Sequence, residues 1–416
     1  MRQNRSRQAI HLFVSIMLMT LVFSLTAAAK SVTVDCSGQT PGAFTSIQSA
    51  IDSVDNTGPN QVFIVPGIPC SANVNITDKQ RLAIFTGPGT APISSAAGFN
   101  GDVFTIQGST GIFLGNLDIS GGSRGIVIFR SSELTIEGSS VFGNRNAGIR
   151  MDGHSNLFLI ANIHNNGGAG VNMFDSLVTA ENSQFTGNGG TGVFLTRSRG
   201  FFQGDTLNNN GNGIVFAEDS SGQFTAPNSI QNNGSIGVSV EDGSAVRIFG
   251  SAAQSNNIDG NSLIGLNIFS AHVALFSNNT IRNNGASGEA FNAGVRVDDN
   301  GVLFTSANPG EIQITGNTGP GIDSTLGGDV DLTGVVIGNN TGDGIRGQGH
   351  VHIGFFPPNT NAITGNGGRS ILCDDSSVFM GDRTGVKDIQ CEVIPFISPG
   401  AQGNHRRMHD SDKDNN

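Results

Sequence analysis

The chain has 416 residues, of which 60 are glycine and 27 phenylalanine, while charged residues make up only 13% and tryptophan and tyrosine are both absent. About one residue in seven being glycine is incompatible with long helices and coiled coils, and the glycines do not fall at every third position as in collagen. Apolar residues make up 37% of the chain, which is too many for a disordered protein. The composition therefore favours an all-β protein with many turns.

The first 29 residues have the pattern of a secretory signal peptide. Three arginines give a basic start, residues 12–25 form an apolar run, and Ala27–Ala29 supplies the small residues that a signal peptidase recognises. We expect cleavage after Ala29 and a secreted or periplasmic mature protein. The alternative, a transmembrane anchor, needs about 20 apolar residues. No later stretch is long and apolar enough to span a membrane, so no span is expected after cleavage.

The mature chain is acidic. Removal of the first 29 residues leaves 19 basic and 33 acidic residues, a formal net charge of −14. Nucleic acid is therefore excluded as an expected partner, because phosphate binding requires a basic surface. A polyanionic glycan would also be repelled unless a metal ion or a local basic patch intervened.

Residues 30–76 are predicted to form an N-terminal cap and the first coil. Phe44, Ile47, Ile51 and Val54 recur at helical spacing, which predicts one short amphipathic capping helix. A solenoid needs such a cover over its open end.

The four cysteines of this exported chain suggest disulfides. Local pairing would join Cys36 to Cys70 and Cys373 to Cys391, stapling each end, whereas long-range pairing would have to join opposite ends of the molecule. We expect the local pairing. The spacings between these cysteines resemble no zinc signature.

A unit of Asn, three variable residues, Gly and an aliphatic residue recurs along residues 77–397. Its regular copies begin at Asn144, Asn166, Asn188, Asn209, Asn233, Asn261, Asn317 and Asn340. Including three less regular copies, the aliphatic residues follow one another at steps of 21 to 29 residues. Each unit contains short alternating segments and no helix, so it predicts one turn of a right-handed, single-stranded parallel β-helix. The polar residues 398–416 are expected to form a disordered tail.

The Asn and Gly of the unit have structural roles in this prediction. Stacked in the same bend of successive turns, each Asn amide would hydrogen-bond the amides above and below it. The Gly would allow a positive φ or a tight bend before the strand. A leucine-rich repeat has a similar period and its own Asn, but leucine is too sparse here.

The N-terminal part resembles the pectin-lyase-like superfamily. The resemblance rests on the order of a short helix reading Ser46–Asp52, a strand ending at Pro66-Gly67, and the segment Asn73–Ile76. The coils from about 103 to 380 are similar to the generic repeats of that superfamily. The resemblance implies a right-handed β-helix. It does not fix an activity, because the superfamily contains polysaccharide lyases, hydrolases, epimerases and non-catalytic surface proteins.

The strand after each Gly-aliphatic step offers candidate site residues. Alternation along that strand predicts that Arg296, Asp323 and Arg346 stack on three consecutive turns, with Asp298 beside Arg296. Two cations and two carboxylates in one place could grip an acidic sugar, act in acid/base catalysis or hold Ca²⁺. The alternative is a ladder of opposite charges that only stabilises the sheet.

Other candidates are weaker. His350 and His352 alternate along one segment and could hold a metal ion, although no acidic ligand of matching spacing accompanies them. Phe174 and Phe269 could stack on sugar rings but belong to distant turns. Of the motifs of polygalacturonase-like enzymes, only residues 340–345 distantly resemble one, and the missing tyrosine argues against an alginate-epimerase site.

The sequence therefore favours an exported, monomeric, non-catalytic rod that serves as a surface or extracellular structural or binding protein. Its expected partner is a polysaccharide. The alternative is a pectin-lyase-like polysaccharide lyase acting on acidic glycans through Arg296, Asp298, Asp323 and Arg346, with Ca²⁺ as a possible cofactor. The residues leave open whether the chain is an enzyme.

Overall fold

The structure is a computed structural model, and it describes residues 30–289, 291–355, 360–374, 376–381 and 386–394. The predicted signal peptide 1–29 and the predicted tail 398–416 lie outside the described residues. A typical turn of the chain contains three short strands, one on each of three faces of the solenoid. We number these faces 1, 2 and 3 in chain order, starting with the face of the strand that follows the Gly-aliphatic step. All the strands pair in parallel with those one turn away, so the predicted parallel β-helix is confirmed.

Face 1 is a sheet of 14 strands. Its strands are Val74–Thr77, Phe104–Gln107, Ile126–Phe129, Ile149–Met151, Val171–Phe174, Thr191–Thr196, Asn212–Ala217, Ile236–Glu241, Ile264–Phe269, Ala293–Asp298, Ile322–Thr325, Ile345–Gln348, Ile371–Cys373 and Ile389–Gln390.

Faces 2 and 3 are joined into one sheet by Glu133–Phe142 and Asn156–His164, two long strands that run through both faces. The other strands of face 2 are Lys30–Val34, Asn60–Ile64, Gln80–Thr86, Thr110–Gly115, Leu177–Glu181, Arg199–Gln203, Ser221–Thr225, Ala245–Phe249, His272–Phe276, Val302–Ser306, Asp329–Leu332, His352–Phe355, Val378–Gly381 and Glu392–Ile394. The other strands of face 3 are Cys70–Ser71, Ala91–Ser94, Leu117–Ser120, Gln184–Thr186, Thr206–Asn208, Ser229–Gln231, Asn256–Asp259, Asn279–Arg282, Ile312–Thr315, Val335–Gly338 and Ala362–Thr364.

The core is a set of columns that run along the axis of the helix. On face 2, for example, Val273, Leu303, Val330 and Ile353 follow one another in register and are all buried. Burial of such a side chain contributes about 1.5–3 kcal/mol. Residues on either side of each column point outward, so the alternation in the sequence fixes which side chains remain available at the surface.

The asparagines form the predicted ladder at the corner between faces 3 and 1. We call this the Asn ladder; it consists of Asn144, Asn166, Asn188, Asn210, Asn233, Asn261, Asn284, Asn317, Asn340 and Asn366. Each Nδ2 donates to Oδ1 of the next member at 2.8 to 3.2 Å. The sequence prediction was wrong at one turn. Asn210 occupies the ladder there, whereas Asn209 is exposed and has a φ of 55°.

The glycine of the unit is required for a reason other than a positive φ. Gly148, for example, does not have a left-handed backbone conformation. A Cβ on Gly148 would lie 2.7 Å from Nδ2 of Asn166 and 2.8 Å from the carbonyl oxygen of Gly170. Glycine is therefore required by the close approach of the next turn and its ladder amide.

Two further polar ladders fill the remaining corners. At the corner between faces 1 and 2, the backbone N–H of each serine donates to Oγ of the serine on the next turn at 3.0 to 3.3 Å, through Ser109, Ser132, Ser155, Ser176, Ser198, Ser220 and Ser244. At the corner between faces 2 and 3, a mixed ladder contains Ser183, Asp205, Asn228, Asn256 and Asn279. These ladders satisfy backbone groups that the bends remove from the sheets.

The structure contains the predicted capping helix and the two predicted disulfides. The single α-helix of the described residues, α1 (Ile47–Asp52), is capped by Ser46, whose side chain accepts from the Ser49 N–H, and it buries Ile47 and Ile51. Disulfides join Cys36 to Cys70 and Cys373 to Cys391, which confirms the local pairing. Among the described residues, no helix is long and apolar enough to cross a membrane.

Candidate functional site

The four predicted site residues lie together on face 1. Arg296, Asp323 and Arg346 are direct neighbours on three successive turns, as the spacing of the repeat predicts. Asp298 lies two residues after Arg296 on the same strand. The structure thus places two guanidinium groups and two carboxylates side by side.

The charges of this cluster are already paired with one another. Arg346 donates from Nε and Nη2 to the two oxygens of Asp323, both at 2.8 Å. This bidentate pair covers the carboxylate, so that Asp323 is only 2% exposed. The hydrogen bond to Asp323 also raises the pKa of Arg346.

Asp298 is paired in a similar way. Its Oδ2 accepts from Nη2 of Arg296 at 2.8 Å, and its Oδ1 accepts from the Thr325 hydroxyl at 2.7 Å and the Asp299 N–H at 2.9 Å. The guanidinium of Arg296 also lies over the ring of Phe291, 4.7 Å from its centre. All four carboxylate oxygens of the cluster therefore accept hydrogen bonds, which leaves them poorly placed to ligate Ca²⁺ or to act as a general base.

A small cavity adjoins this cluster. It has a volume of about 230 Å³ and is lined by Glu289 and Pro320, together with Asp343 and Arg346. Part of its wall comes from residues between Asn284 and Gly294, a segment six residues longer than in the regular repeat unit. The same segment contains Phe291, which is 56% exposed.

A larger groove lies on face 2, where the sequence analysis assigned no site. Its volume is about 490 Å³ and it spans five turns. One outward column of the groove contains Phe201, Gln223, Arg247, Ala274 and Phe304 in direct register. With turns about 4.8 Å apart, Phe201 and Phe304 lie about 19 Å from each other along the axis.

The groove combines aromatic and basic side chains. Phe201 is 36% and Phe304 41% exposed, and both rings line the cavity. Arg199, Arg247 and His272 line it as well. Within the described part of the chain, neither arginine has a carboxylate within ion-pair distance, and Arg199 donates only to the Ser221 hydroxyl at 3.3 Å. None of the residues described as lining the groove is acidic.

The sequence carried a signal for this groove. In residues 199–203 the exposed and buried positions alternate, so that Phe201 points outward and Phe202 inward. The same alternation exposes Arg247 and Phe304. The outward columns of face 2 follow from the same alternation as those of face 1, and they bring these residues together.

The two candidate histidines are separated by the structure. His350 lies in a turn with a φ of 63°, and its backbone N–H donates to Ser376. His352 begins the next strand of face 2 and faces Asp329 and Asp331 of the preceding turn. No acidic ligand of matching spacing accompanies His352 in the sequence, because its acidic neighbours Asp329 and Asp331 come from another turn. Phe174 and Phe269 lie four turns apart on face 1.

Comparison with known proteins identifies the family. The chain matches the family described as right handed beta helix region over residues 72–210 and 160–308, which together span more than half of it. The chain belongs to this family, so the predicted right-handed β-helix is confirmed.

The chain is also similar to several solved structures. The periplasmic alginate epimerase AlgG is 11% identical, with a TM-score of 0.50, over 85% of this chain and 84% of that one. The A-module of the mannuronan C-5 epimerase AlgE4 of Azotobacter vinelandii is 15% identical, with a TM-score of 0.49, over 85% and 94%. Pectate lyase Pel9A is 13% identical, with a TM-score of 0.32, over 90% and 80%. No curated protein sequence matches the chain. These likenesses concern the fold alone.

Proposed function

We propose that this protein is an exported, non-catalytic rod that binds an acidic polysaccharide along the groove of face 2. The observation that carries the proposal is one groove whose described lining contains two exposed phenylalanines and two arginines without an ion-pair partner, but no acidic residue. The two disulfides agree with a secreted or periplasmic location.

Each component of the groove suits a uronic-acid chain. The rings of Phe201 and Phe304 offer flat apolar surfaces to the faces of sugar rings. The fork of an arginine fits a carboxylate in a bidentate way, and no carboxylate of the described residues lies within ion-pair distance of Arg199 or Arg247. His272 adds a hydrogen-bonding group at the rim.

The groove also provides local positive charge on a protein whose net charge would repel an acidic polysaccharide. A formal net charge of −14 repels a polyanion at long range, but salt screens that repulsion beyond about 8–10 Å. At contact distance the local cations of the groove dominate. Binding is therefore expected at physiological ionic strength and should weaken at high salt.

The pairing and the positions of the charged groups favour binding over cleavage. The predicted catalytic cluster on face 1 is closed by its own ion pairs, and the lining of the face 2 groove supplies no carboxylate base. The alternative is a polysaccharide lyase that uses Arg296, Asp298, Asp323 and Arg346. The cavity beside Arg346, with Glu289 and Asp343 in its wall, favours this second candidate.

Calorimetric titration of the mature protein with oligogalacturonate and with oligomannuronate tests the binding. We expect Phe201→Ala and Arg247→Ala each to weaken binding about tenfold, which corresponds to about 1.4 kcal/mol. Arg145→Ala, which removes an exposed arginine outside the groove, should leave affinity unchanged. Tighter binding of neutral than of acidic oligosaccharides, or equal loss in Arg145→Ala, would contradict the proposal.

An assay of the same glycans for unsaturated products, with and without Ca²⁺, tests the alternative. Ultraviolet absorbance that grows with the wild-type protein but not with Arg296→Ala/Arg346→Ala would make the protein a lyase with its site on face 1. Absence of product together with measurable binding supports the non-catalytic proposal.

A further inference from the structure

Asp329, Asp331 and His352 form a cluster on face 2 that the proposed function does not use. Asp329 and Asp331 alternate along one strand and so point to the same side of the sheet. Asp329 pairs in register with His352 on the next turn. Asp331 follows Phe304 in its column, so the cluster lies one turn beyond the end of the groove.

The donor atoms of these three side chains converge. Nδ1 of His352 lies 2.7 Å from Oδ1 of Asp329 and 3.9 Å from Oδ1 of Asp331. All three donor atoms lie within 4.8 Å of one another. Ligands about 2.0 Å from a tetrahedral ion stand about 3.3 Å apart. Opposite changes of about 0.6 Å in these two distances would therefore bring Nδ1 of His352 to that spacing from both carboxylates.

The environment of Asp331 is a second observation that points to a missing ligand. Its Oδ1 is buried and has no hydrogen-bond partner among the described residues, although a buried carboxylate oxygen is costly to leave unpaired. The neighbour of Asp331 on the next turn is Gly354, which places no side chain over the carboxylate.

We propose that Asp329, Asp331 and His352 bind a divalent transition-metal ion of the Zn²⁺ type. An imidazole nitrogen with two carboxylates is a donor set for zinc and its first-row neighbours, which leaves further coordination positions open to water. Ca²⁺ prefers six to eight oxygen ligands, and this site offers too few. The site uses none of the arginines and phenylalanines that line the groove, so it does not depend on the proposed glycan binding.

Calorimetric titration of the metal-free mature protein with ZnCl₂, and with CoCl₂ followed by visible absorbance, tests this site. We expect one tight site per chain for Zn²⁺ and none for CaCl₂. His352→Ala and Asp331→Asn should each weaken Zn²⁺ binding at least about tenfold, because loss of a ligand costs more than loss of its supporting partner.

His350→Ala is the matched control, since it removes a histidine only two residues away that lies outside the cluster. Its Zn²⁺ affinity should stay within twofold of wild type. Unfolding temperatures of the metal-free variants show that each is folded, and imidazole ¹H–¹⁵N spectra should show Zn²⁺ shifting the signals of His352. Zn²⁺ binding that survives both His352→Ala and Asp331→Asn, or no binding at all by the wild type, would overturn the proposal.

Discussion

Asp205 gives the protein a pH dependence of stability that can be calculated. This carboxylate occupies a position of the mixed ladder where other turns have serine or asparagine, and it is 1% exposed. Its Oδ1 accepts from the Ser183 N–H at 2.7 Å and its Oδ2 from the Gln203 N–H at 2.9 Å. These bonds favour the charged form, but burial outweighs them and raises the pKa of Asp205 to about 7, with a smaller contribution from Glu181.

The sign and size of this pH dependence follow from the linkage between proton binding and folding. Because the pKa in the folded state lies above the ordinary value of 3.8, the folded protein holds its proton more tightly than the unfolded chain. The contribution of Asp205 to stability is therefore complete below pH 3.8, falls as the pH rises towards 7 and stays constant above it. Between pH 5 and pH 8 the free energy of unfolding should fall by about 2.5 kcal/mol through this group.

Urea unfolding of the wild type and of Asp205→Asn at pH 5, 6, 7 and 8 measures this effect. The amide keeps an acceptor for Ser183 but leaves the Gln203 N–H unpaired, which costs about 1 kcal/mol at every pH. The free energy of unfolding of the variant should therefore increase relative to that of the wild type as the pH rises. Asp219→Asn, in an exposed turn, is the control and should follow the wild type. Curves for Asp205→Asn and wild type that stay parallel from pH 5 to pH 8 would refute the reasoning.

Three further predictions concern other parts of the fold. Asn210→Ala removes the Oδ1 that accepts from Asn188 and the Nδ2 that donates to Asn233 and to the Phe185 carbonyl. It should destabilise the protein by about 2–3 kcal/mol in urea unfolding. Asn209→Gly, which suits the positive φ there, should change stability by less than about 0.5 kcal/mol, and equal effects would contradict the ladder assignment. Arg346→Ala leaves the buried Asp323 carboxylate unpaired and should lower the free energy of unfolding by about 2–3 kcal/mol. The additional change Asp323→Asn should restore most of that stability. No recovery in the double variant would mean that the arginine stabilises the protein by packing. Replacing Cys373 and its partner by serine should cost about 3 kcal/mol and speed hydrogen exchange in the last turns, whereas unchanged exchange there would show that the disulfide is dispensable.

The sequence alone was sufficient for the architecture. The recurring Asn and Gly-aliphatic step set the length of each turn, and the alternation after it predicted the neighbours of Arg296 one and two turns later. Both disulfides and the capping helix were predicted as well. These features depend on local spacing, because each turn of a β-helix contacts only the turns next to it.

The tertiary structure decided which polar groups meet and whether they remain free. Asn210 rather than Asn209 enters the ladder, because only one of two adjacent asparagines can point inward at that bend. The number of residues per turn varies between 21 and 29, so residues such as Asp331 and His352 meet at a separation that no fixed motif describes. The charges of Arg346 and Asp323 were predicted to be close, but only their side-chain geometry shows that they satisfy one another. Contacts between turns depend on the register of all three faces at once, and the sequence pattern fixes that register for one face at a time.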